Sequence, residues 1–196
     1  VSKDSLIFQV MELESRAVME DLSTITMTLY SDNYIKNVLK TTAEKLKAPS
    51  KEDSLFIKYR AIQANSDLDS AFAARNPVKL TSKSKITRVE KIMPSLDPYL
   101  GHVNRSEEYL YPEYRININK AYQDFQYSFS VIVDHNGRMH FKQFLVAVEP
   151  EFIETKTKVA KGIIDVYLRN TLSIIPGNTL GFPHSSVINL HVIGRK

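Results

Sequence analysis

The sequence contains no cysteine and no tryptophan, and only 6 of its 196 residues are glycine. The absence of cysteine excludes disulfide bonds, thiolate zinc sites and thiol nucleophiles. The scattered glycines form no glycine-rich loop before a helix and lysine, and no serine lies in a glycine-flanked elbow. Enzymes that use a thiol nucleophile, a phosphate-binding glycine loop or a serine elbow are therefore excluded. The absence of cysteine also fits a reducing compartment, and we expect the protein in the cytoplasm or in a virion.

Long apolar runs are also missing. The longest runs, such as 144–148 and 172–175, fall far short of the roughly 18 to 20 residues that a membrane span requires. The first four residues lead directly into an amphipathic pattern without the features of a signal peptide, and a valine at position 1 is what removal of an initiator methionine leaves. We expect a soluble protein that has no membrane partner.

The charge is mild overall but unevenly distributed. The 26 basic and 22 acidic residues give a formal net charge of +4, which favours solubility more than it identifies a partner. The charged residues of segment 76–93 are almost all basic, whereas those of the next segment, 94–114, are mostly acidic. A basic segment therefore adjoins an acidic one.

Apolar residues in the first half of the chain recur with helical spacing. The pattern from 5 to 22 predicts a helix with one buried stripe, whereas 24–30 alternates strictly and fits either a strand or more helix. Ser31 predicts the N-cap of a second helix, and Ser50 that of a third. A fourth helix, or a kinked extension, is predicted to end before Asn76-Pro77. We expect the third helix to turn inward a face made of Leu55, Phe56, Tyr59 and Ile62.

The middle of the chain fits no single periodicity. Segment 78–93 mixes alternation with helical spacing, so helix and strand remain alternatives. Segment 94–114 contains three prolines and four tyrosines without a sustained period, which predicts a long connection. We expect any domain boundary there, between a helical region at 1–93 and a β-hairpin, helix and strand region at 115–196. One integrated domain is the alternative.

The second half predicts a β-hairpin. Apolar residues alternate from 125 to 133, and the Asn-Gly pair at 136–137 that follows is the strongest short signal for a hairpin turn. The two predicted strands are 125–134 and 139–148. With a two-residue loop at 136–137, the residue numbers of two opposed positions add up to 273, so Phe129 should oppose Phe144.

A helix at 157–170, capped by Thr155 or Thr157, and a strand at 187–193 follow the hairpin, and 115–119 fits one more strand. The predicted fold class is α+β. We expect a small mixed sheet of three or four strands with one covering helix, against which the helical N-terminal half packs.

Three groups of residues superficially match metal or catalytic motifs. Asp134 with Glu154-Thr155-Lys156 has the composition of a nuclease metal site, but a strand of about ten residues separates them by about 30 Å. His135 and His140 flank the hairpin turn without a converging third ligand beyond Asp134.

His184-Ser185-Ser186 has the form of half of a two-histidine phosphoesterase site, which needs the motif twice. The residues after His102 and His140 lack the required hydroxyl. We therefore predict no catalytic residue, no metal and no cofactor.

The basic residues predict a possible phosphate-binding stripe, although lysine dominates and aromatic residues are not interleaved with it. The alternative function that follows is nucleic-acid binding through Lys79, Lys83, Lys85, Arg88, Lys91, Lys156, Lys158 and Lys161.

The tyrosines of the 94–114 segment favour a protein interface, because aromatic residues with a polar tip are enriched there. The predicted interface residues are Tyr99, Tyr109, Tyr111 and Tyr114. The sequence is therefore interpreted as a non-enzymatic structural or assembly subunit, such as a virion component, that forms homo- or hetero-oligomers with protein neighbours.

Overall fold

The computed structural model describes residues 4–9, 13–14, 17–18, 26–93 and 110–196. The chain divides into two compact units, 1–50 and 51–196. Each unit contains both helices and strands, so the predicted α+β class is confirmed, but the helical N-terminal half is not. In the part of the chain that the structure describes, every helix is too short or too polar to cross a bilayer.

Strands replace the predicted first helix of the first unit. Strand β1 (Ser5–Gln9) pairs antiparallel with β4 (Thr26–Tyr30), and β2 (Leu13–Glu14) pairs with β3 (Ala17–Val18). The helix predicted at 5–22 is wrong in the part of this segment that the structure describes, because the consecutive apolar residues Leu6 to Phe8 fit a strand as well as a helix and pair with β4. Of the two alternatives for 24–30, the strand is correct for the described part, 26–30.

Two short helices follow. Helix α1 (Asp32–Asn37) begins after Ser31, whose Oγ accepts a hydrogen bond from the backbone N–H of Tyr34 at 3.2 Å, so the predicted cap is confirmed. The helix ends early because Lys40 adopts a left-handed φ of 51°. Helix α2 (Ala43–Lys47) then begins after a second cap, Thr42.

The second unit begins with α3 (Lys51–Ser66), which confirms the predicted third helix. The predicted fourth helix is only a 3₁₀ turn, Leu68–Ser70, capped by Asp67. The ambiguous segment 78–93 forms two strands, β5 (Lys79–Ser82) and β6 (Thr87–Ile92). Alternation was therefore the informative period in that segment.

A five-stranded sheet forms the centre of the second unit. Besides β6, its strands are β7 (Glu113–Asn119), β8 (Phe125–Val133), β9 (Met139–Phe144) and β13 (Ser186–Arg195), in the order β6-β7-β13-β8-β9. Strand β13 runs parallel to β7 and antiparallel to β8. Because β6 and β7 are neighbours, the connection predicted at 94–114 joins two strands of one sheet and does not separate two sheets.

The hairpin of β8 and β9 is confirmed, with a different turn. The backbone N–H of Asp134 donates to the Arg138 carbonyl, and Gly137 has a φ of 78°, which is a three-residue loop with a bulge and not a two-residue loop. A second bulge restores the predicted register at Phe129 and Phe144. Nearer the turn, each residue of β8 opposes a residue of β9 one position earlier than predicted, as Val133 opposes Met139. Strand β9 ends at residue 144 instead of 148.

One helical segment covers the sheet. Helix α4 (Pro150–Ile163) continues through a π-helical turn, Ile164–Leu168, into α5 (Arg169–Thr171). It begins before the predicted residue 157 because a proline is favoured in the first helical turn. The buried core between helix and sheet comprises Val78, Leu80, Tyr114, Ile116, Ile118, Ala121, Phe129, Val131, Val133, Ala160, Ile163, Ile164, Leu168, Leu172, Ile188, Leu190 and Val192.

Two small ladders complete the unit. Strand β5 pairs antiparallel with β10 (Leu172–Ile175), which follows the covering helix directly. Strands β11 (Asn178–Thr179) and β12 (Phe182–Pro183) form a tight pair before β13. The predicted strand at 187–193 lies within β13, and the predicted strand at 115–119 lies within β7.

Candidate functional site

The structure divides the predicted tyrosine interface. Tyr114 is only 4% exposed, and its hydroxyl donates to the Val78 carbonyl at 2.6 Å, so this side chain belongs to the core and not to a surface. Burial raises the pKa of Tyr114, in keeping with a neutral hydroxyl. Tyr111 is exposed, whereas Tyr99 and Tyr109 lie outside the described residues.

The predicted basic residues do not form one stripe. Arg88 and Lys91 lie on opposite faces of β6, and the Arg88 guanidinium pairs with Glu90 at 2.8 Å. Lys158 pairs with Glu154 one turn earlier on α4 at 2.7 Å. The other predicted residues are divided between the β5 end of the unit and α4, namely Lys79, Lys83, Lys85, Lys156 and Lys161. This dispersal lowers the local charge density that a phosphate backbone needs.

Asp134 stabilises the hairpin turn. Its carboxylate accepts hydrogen bonds from the backbone N–H groups of Asn136 and Arg138 at 2.8 and 2.9 Å, and its second oxygen lies 3.1 Å from His140 Nε2. Burial raises the pKa of Asp134, but these hydrogen bonds outweigh burial and lower it. Within the described residues, no three His, Asp or Glu side chains come together to hold a metal ion.

His184 is a buried structural residue. Its ring stacks on Phe72 with centroids 3.7 Å apart, Nδ1 donates to the Ser185 carbonyl at 3.1 Å, and Nε2 accepts from the Thr179 hydroxyl at 3.0 Å. Burial lowers the pKa of His184, so the neutral ring is favoured. With no exposed surface, the side chain is closed to a phosphate group.

A row of polar side chains crosses the sheet face opposite the covering helix. Ser128 Oγ on β8 lies 2.7 Å from His191 Nδ1 on β13, and His191 Nε2 contacts the Glu113 carboxylate on β7. Since a carboxylate only accepts, Nε2 carries the proton and Nδ1 accepts from the serine. One step along the strands, Ser130 Oγ donates to Asn189 Oδ1 at 2.9 Å.

The order serine, histidine and carboxylate matches that of an acyl-transfer nucleophile and its base. Such chemistry also requires donors for an oxyanion. Both β8 and β13 are interior strands, so their backbone N–H groups are engaged in ladders on both sides. The row therefore serves best as a cross-strand polar network. Sequence reasoning missed it because its members come from three strands without a common motif.

An unexpected apolar surface lies on α3. The apolar side chains predicted to point inward are the exposed ones, with exposed fractions of 67% for Leu55, 62% for Phe56, 60% for Tyr59 and 56% for Ile62. We call these four residues the α3 stripe. The prediction of an inner face was wrong because the opposite side of α3 is the buried one.

Small and polar residues hold α3 in place. Ala61 and Ala64 are 4% and 0% exposed. Asn65 donates to the Pro183 carbonyl and accepts from the Ser185 N–H, each at 3.0 Å. The Arg60 guanidinium lies 5.6 Å from the centroid of the Phe72 ring. Close backbone approach at the alanines and these polar contacts leave the large apolar residues of α3 outside.

A second exposed apolar surface lies in the first unit. Leu6 opposes Leu29, and Phe8 opposes Met27, so all four side chains share one face of the β1–β4 pair. Each is between 42% and 53% exposed. A two-stranded pair of this kind is at best marginally stable without a surface to pack against.

Comparison of the chain with protein-family models, curated proteins and solved structures finds no match.

Proposed function

We propose that this protein is a non-enzymatic assembly subunit of a larger complex, such as a virion, and that it associates with a second copy of itself through the α3 stripe. The observation that supports this function is the exposure of four large apolar side chains on one helix face. Contiguous apolar patches of this kind mark interaction surfaces in soluble proteins. An aromatic side chain alone can bury about 150 to 250 Å².

The spacing within the stripe favours a helix as its partner. Leu55, Tyr59 and Ile62 follow each other at intervals of four and three residues, the pattern of a helix that packs against another helix. A twofold axis places the same patch on both copies. The stripe therefore packs against itself in an antiparallel pair.

An antiparallel crossing centred on the stripe places Leu55 of each copy beside Ile62 of the other, with Tyr59 near the twofold axis. The two ends of the stripe therefore cover each other, and a change at either end affects the contact twice.

One helix face is smaller than the roughly 800 Å² per partner of a standard interface. The apolar face of the β1–β4 pair provides the chain with a second contact surface of similar character. Two separate apolar surfaces allow one subunit to bind more than one neighbour, as an assembly requires. Tyr111 remains an interface residue under this proposal.

The alternative function, nucleic-acid binding, is the weaker proposal. It needs basic side chains on a common surface, and alternation along β6 separates Arg88 from Lys91. The ion pairs of Arg88 and Lys158 further reduce the charge available to phosphates.

Sedimentation velocity across a hundredfold range of concentration tests the proposal. We expect a monomer–dimer equilibrium that Leu55→Asp and Ile62→Asp each shift at least tenfold toward monomer, because each places a carboxylate in the apolar contact. Val166→Asp is the matched control, since Val166 is also on a helix and is 62% exposed. A wild-type monomer at every concentration would contradict the proposal, as would equal effects of all three variants.

A further inference from the structure

An open cleft of about 540 Å³ lies between the hairpin turn, the π-helical turn and β10. Its apolar floor includes Ile164 and Leu172, which are 4% and 2% exposed. The volume falls within the range of about 300 to 1,000 Å³ that small-molecule sites occupy. The cleft is large enough for a ligand of moderate size.

The rim of the cleft is basic. Lys83, Arg138 and Arg169 come from three separate parts of the chain and line the cleft together with a single carboxylate, Asp165. Among the described residues, none of these three cations lies within ion-pair distance of a carboxylate. Convergent cations without partners, placed over an apolar floor, favour an anion that carries an apolar group.

The cleft extends along the covering helix. A second hollow of about 400 Å³ shares Met139, His140, Ile164 and Asp165 with the first and is also lined by Leu68, Phe141 and Lys161. His140 is held by Asp134 at 3.1 Å, which orients the ring at the boundary of the two hollows. A ligand in the first hollow therefore has room to extend along the helix.

The helix end beside the cleft has its own acceptors occupied. Asn170 Nδ2 donates to the Val166 carbonyl, and Thr171 Oγ1 donates to the Tyr167 carbonyl, each at 2.8 Å. These bonds reduce the free negative charge that a helix carboxyl end presents to an anion. The adjoining turn is π-helical, a geometry that is frequent at functional sites.

We propose that this cleft binds a small organic anion. Its carboxylate or phosphate group lies between Lys83, Arg138 and Arg169, and its apolar body lies on the floor formed around Ile164 and Leu172. The three cations come together only through folding, because they are separated by 55 and 31 residues along the chain. The bound molecule is chemically a monoanion or dianion with an aromatic or aliphatic body.

Isothermal titration of the full chain with four probes tests this site. Phenyl phosphate and benzoate carry both an anionic and an apolar group, inorganic phosphate lacks the apolar group, and benzyl alcohol lacks the charge. We expect saturable binding of at least one of the first two, at least tenfold weaker binding of inorganic phosphate, and none of benzyl alcohol. The tighter of the first two identifies the head group. Raising the salt concentration should weaken binding.

Charge reversal on the rim tests whether the basic residues bind the anion. The double variant Arg138→Glu, Arg169→Glu should weaken binding of the better probe at least tenfold. The control Lys36→Glu, Lys142→Glu makes the same charge change at exposed positions outside the cleft and should stay within twofold. Ser173→Trp narrows the cleft without a charge change and should also weaken binding.

Thermal melting of each variant verifies that it is folded. The proposal is overturned if no probe binds saturably, if the rim variant binds like the wild type, or if the rim and control variants lose affinity equally. Equal affinity for phenyl phosphate and inorganic phosphate would overturn the apolar part of the site. None of these outcomes depends on self-association through α3.

Discussion

Helix α3 and the helical segment 150–171 attach to the same sheet-containing unit in opposite ways. The segment 150–171 buries large residues such as Ile163 and Leu168 against the sheet. Helix α3 buries Ala61 and Ala64 and leaves the α3 stripe in solvent. One helix therefore stabilises its own unit with its large apolar residues, whereas the other leaves such residues exposed.

The contrast shows that amphipathic spacing identifies two sides of a helix without identifying what covers the apolar side. Large apolar residues gain free energy from burial against any apolar surface, whether in the same chain or another. Small residues and polar contacts can decide which side of a helix faces its own unit. Both properties can be separated by mutation.

The largest difference in the free energy of unfolding should come from replacing a leucine by alanine in each of the two helices. Leu168→Ala should lower the free energy of unfolding by about 2 to 5 kcal/mol, because Leu168 is fully buried and the change leaves a cavity. Leu55→Ala should change it by less than about 0.5 kcal/mol in the monomer, since Leu55 is 67% exposed. Urea denaturation at low protein concentration measures both, and equal losses would remove the distinction between the helices.

Removal of a polar anchor should affect α3 next most strongly. Asn65→Ala should cost about 1 to 3 kcal/mol, because the N–H of the buried Ser185 and the Pro183 carbonyl lose their partner. Gln63→Ala, two residues earlier, removes only a hydrogen bond to the exposed Tyr59 hydroxyl and serves as the control. If both variants unfold at the same urea concentration, Asn65 does not anchor the helix.

A smaller effect is expected from acidification at the α3 contact. The pKa of His184 is lowered in the folded state, so the unfolded chain binds more protons and stability falls as the pH drops below about 6.5. The slope for one proton is at most about 1.4 kcal/mol per pH unit. His184→Gln should flatten the pH dependence of unfolding, measured by urea denaturation at several pH values, and an unchanged dependence would contradict this role of His184.

The smallest effect should follow from charge reversal on the strand side of the unit. The triple variant Lys83→Glu, Lys85→Glu, Arg88→Glu should change stability little, because all three side chains are exposed. In fluorescence anisotropy with a labelled oligonucleotide, we expect no salt-sensitive binding by either the wild type or the variant. Binding that falls steeply with salt and is lost in the variant would favour the nucleic-acid alternative.

Local signals predicted the second unit better than the first. The strand-turn-strand pattern around residues 136–137, the strand at 187–193 and helix α3 were all recognisable from period and turn chemistry. The helix predicted at 5–22 failed because its first apolar residues, Leu6 to Phe8, are consecutive and fit either a strand or a helix. Pairing with β4, a partner about 20 residues away, decided between them.

The candidate sites were much less predictable. The Ser128, His191 and Glu113 network and the basic cleft draw their members from separate elements, and no short motif joins them. Tyr114 illustrates the converse case, since a residue typical of an interface became part of the core once β7 formed. Register and sheet order, which depend on contacts between distant residues, determine which side chains meet.

The sequence by itself determined the α+β class, the hairpin and the absence of any cysteine-based chemistry, because these depend on composition and on the spacing of neighbouring residues. Only the tertiary structure decided which side of α3 is buried, which strands are adjacent and which cations converge. Those features depend on competition between surfaces for the same core, and the free energy of that competition is a property of the whole packed unit.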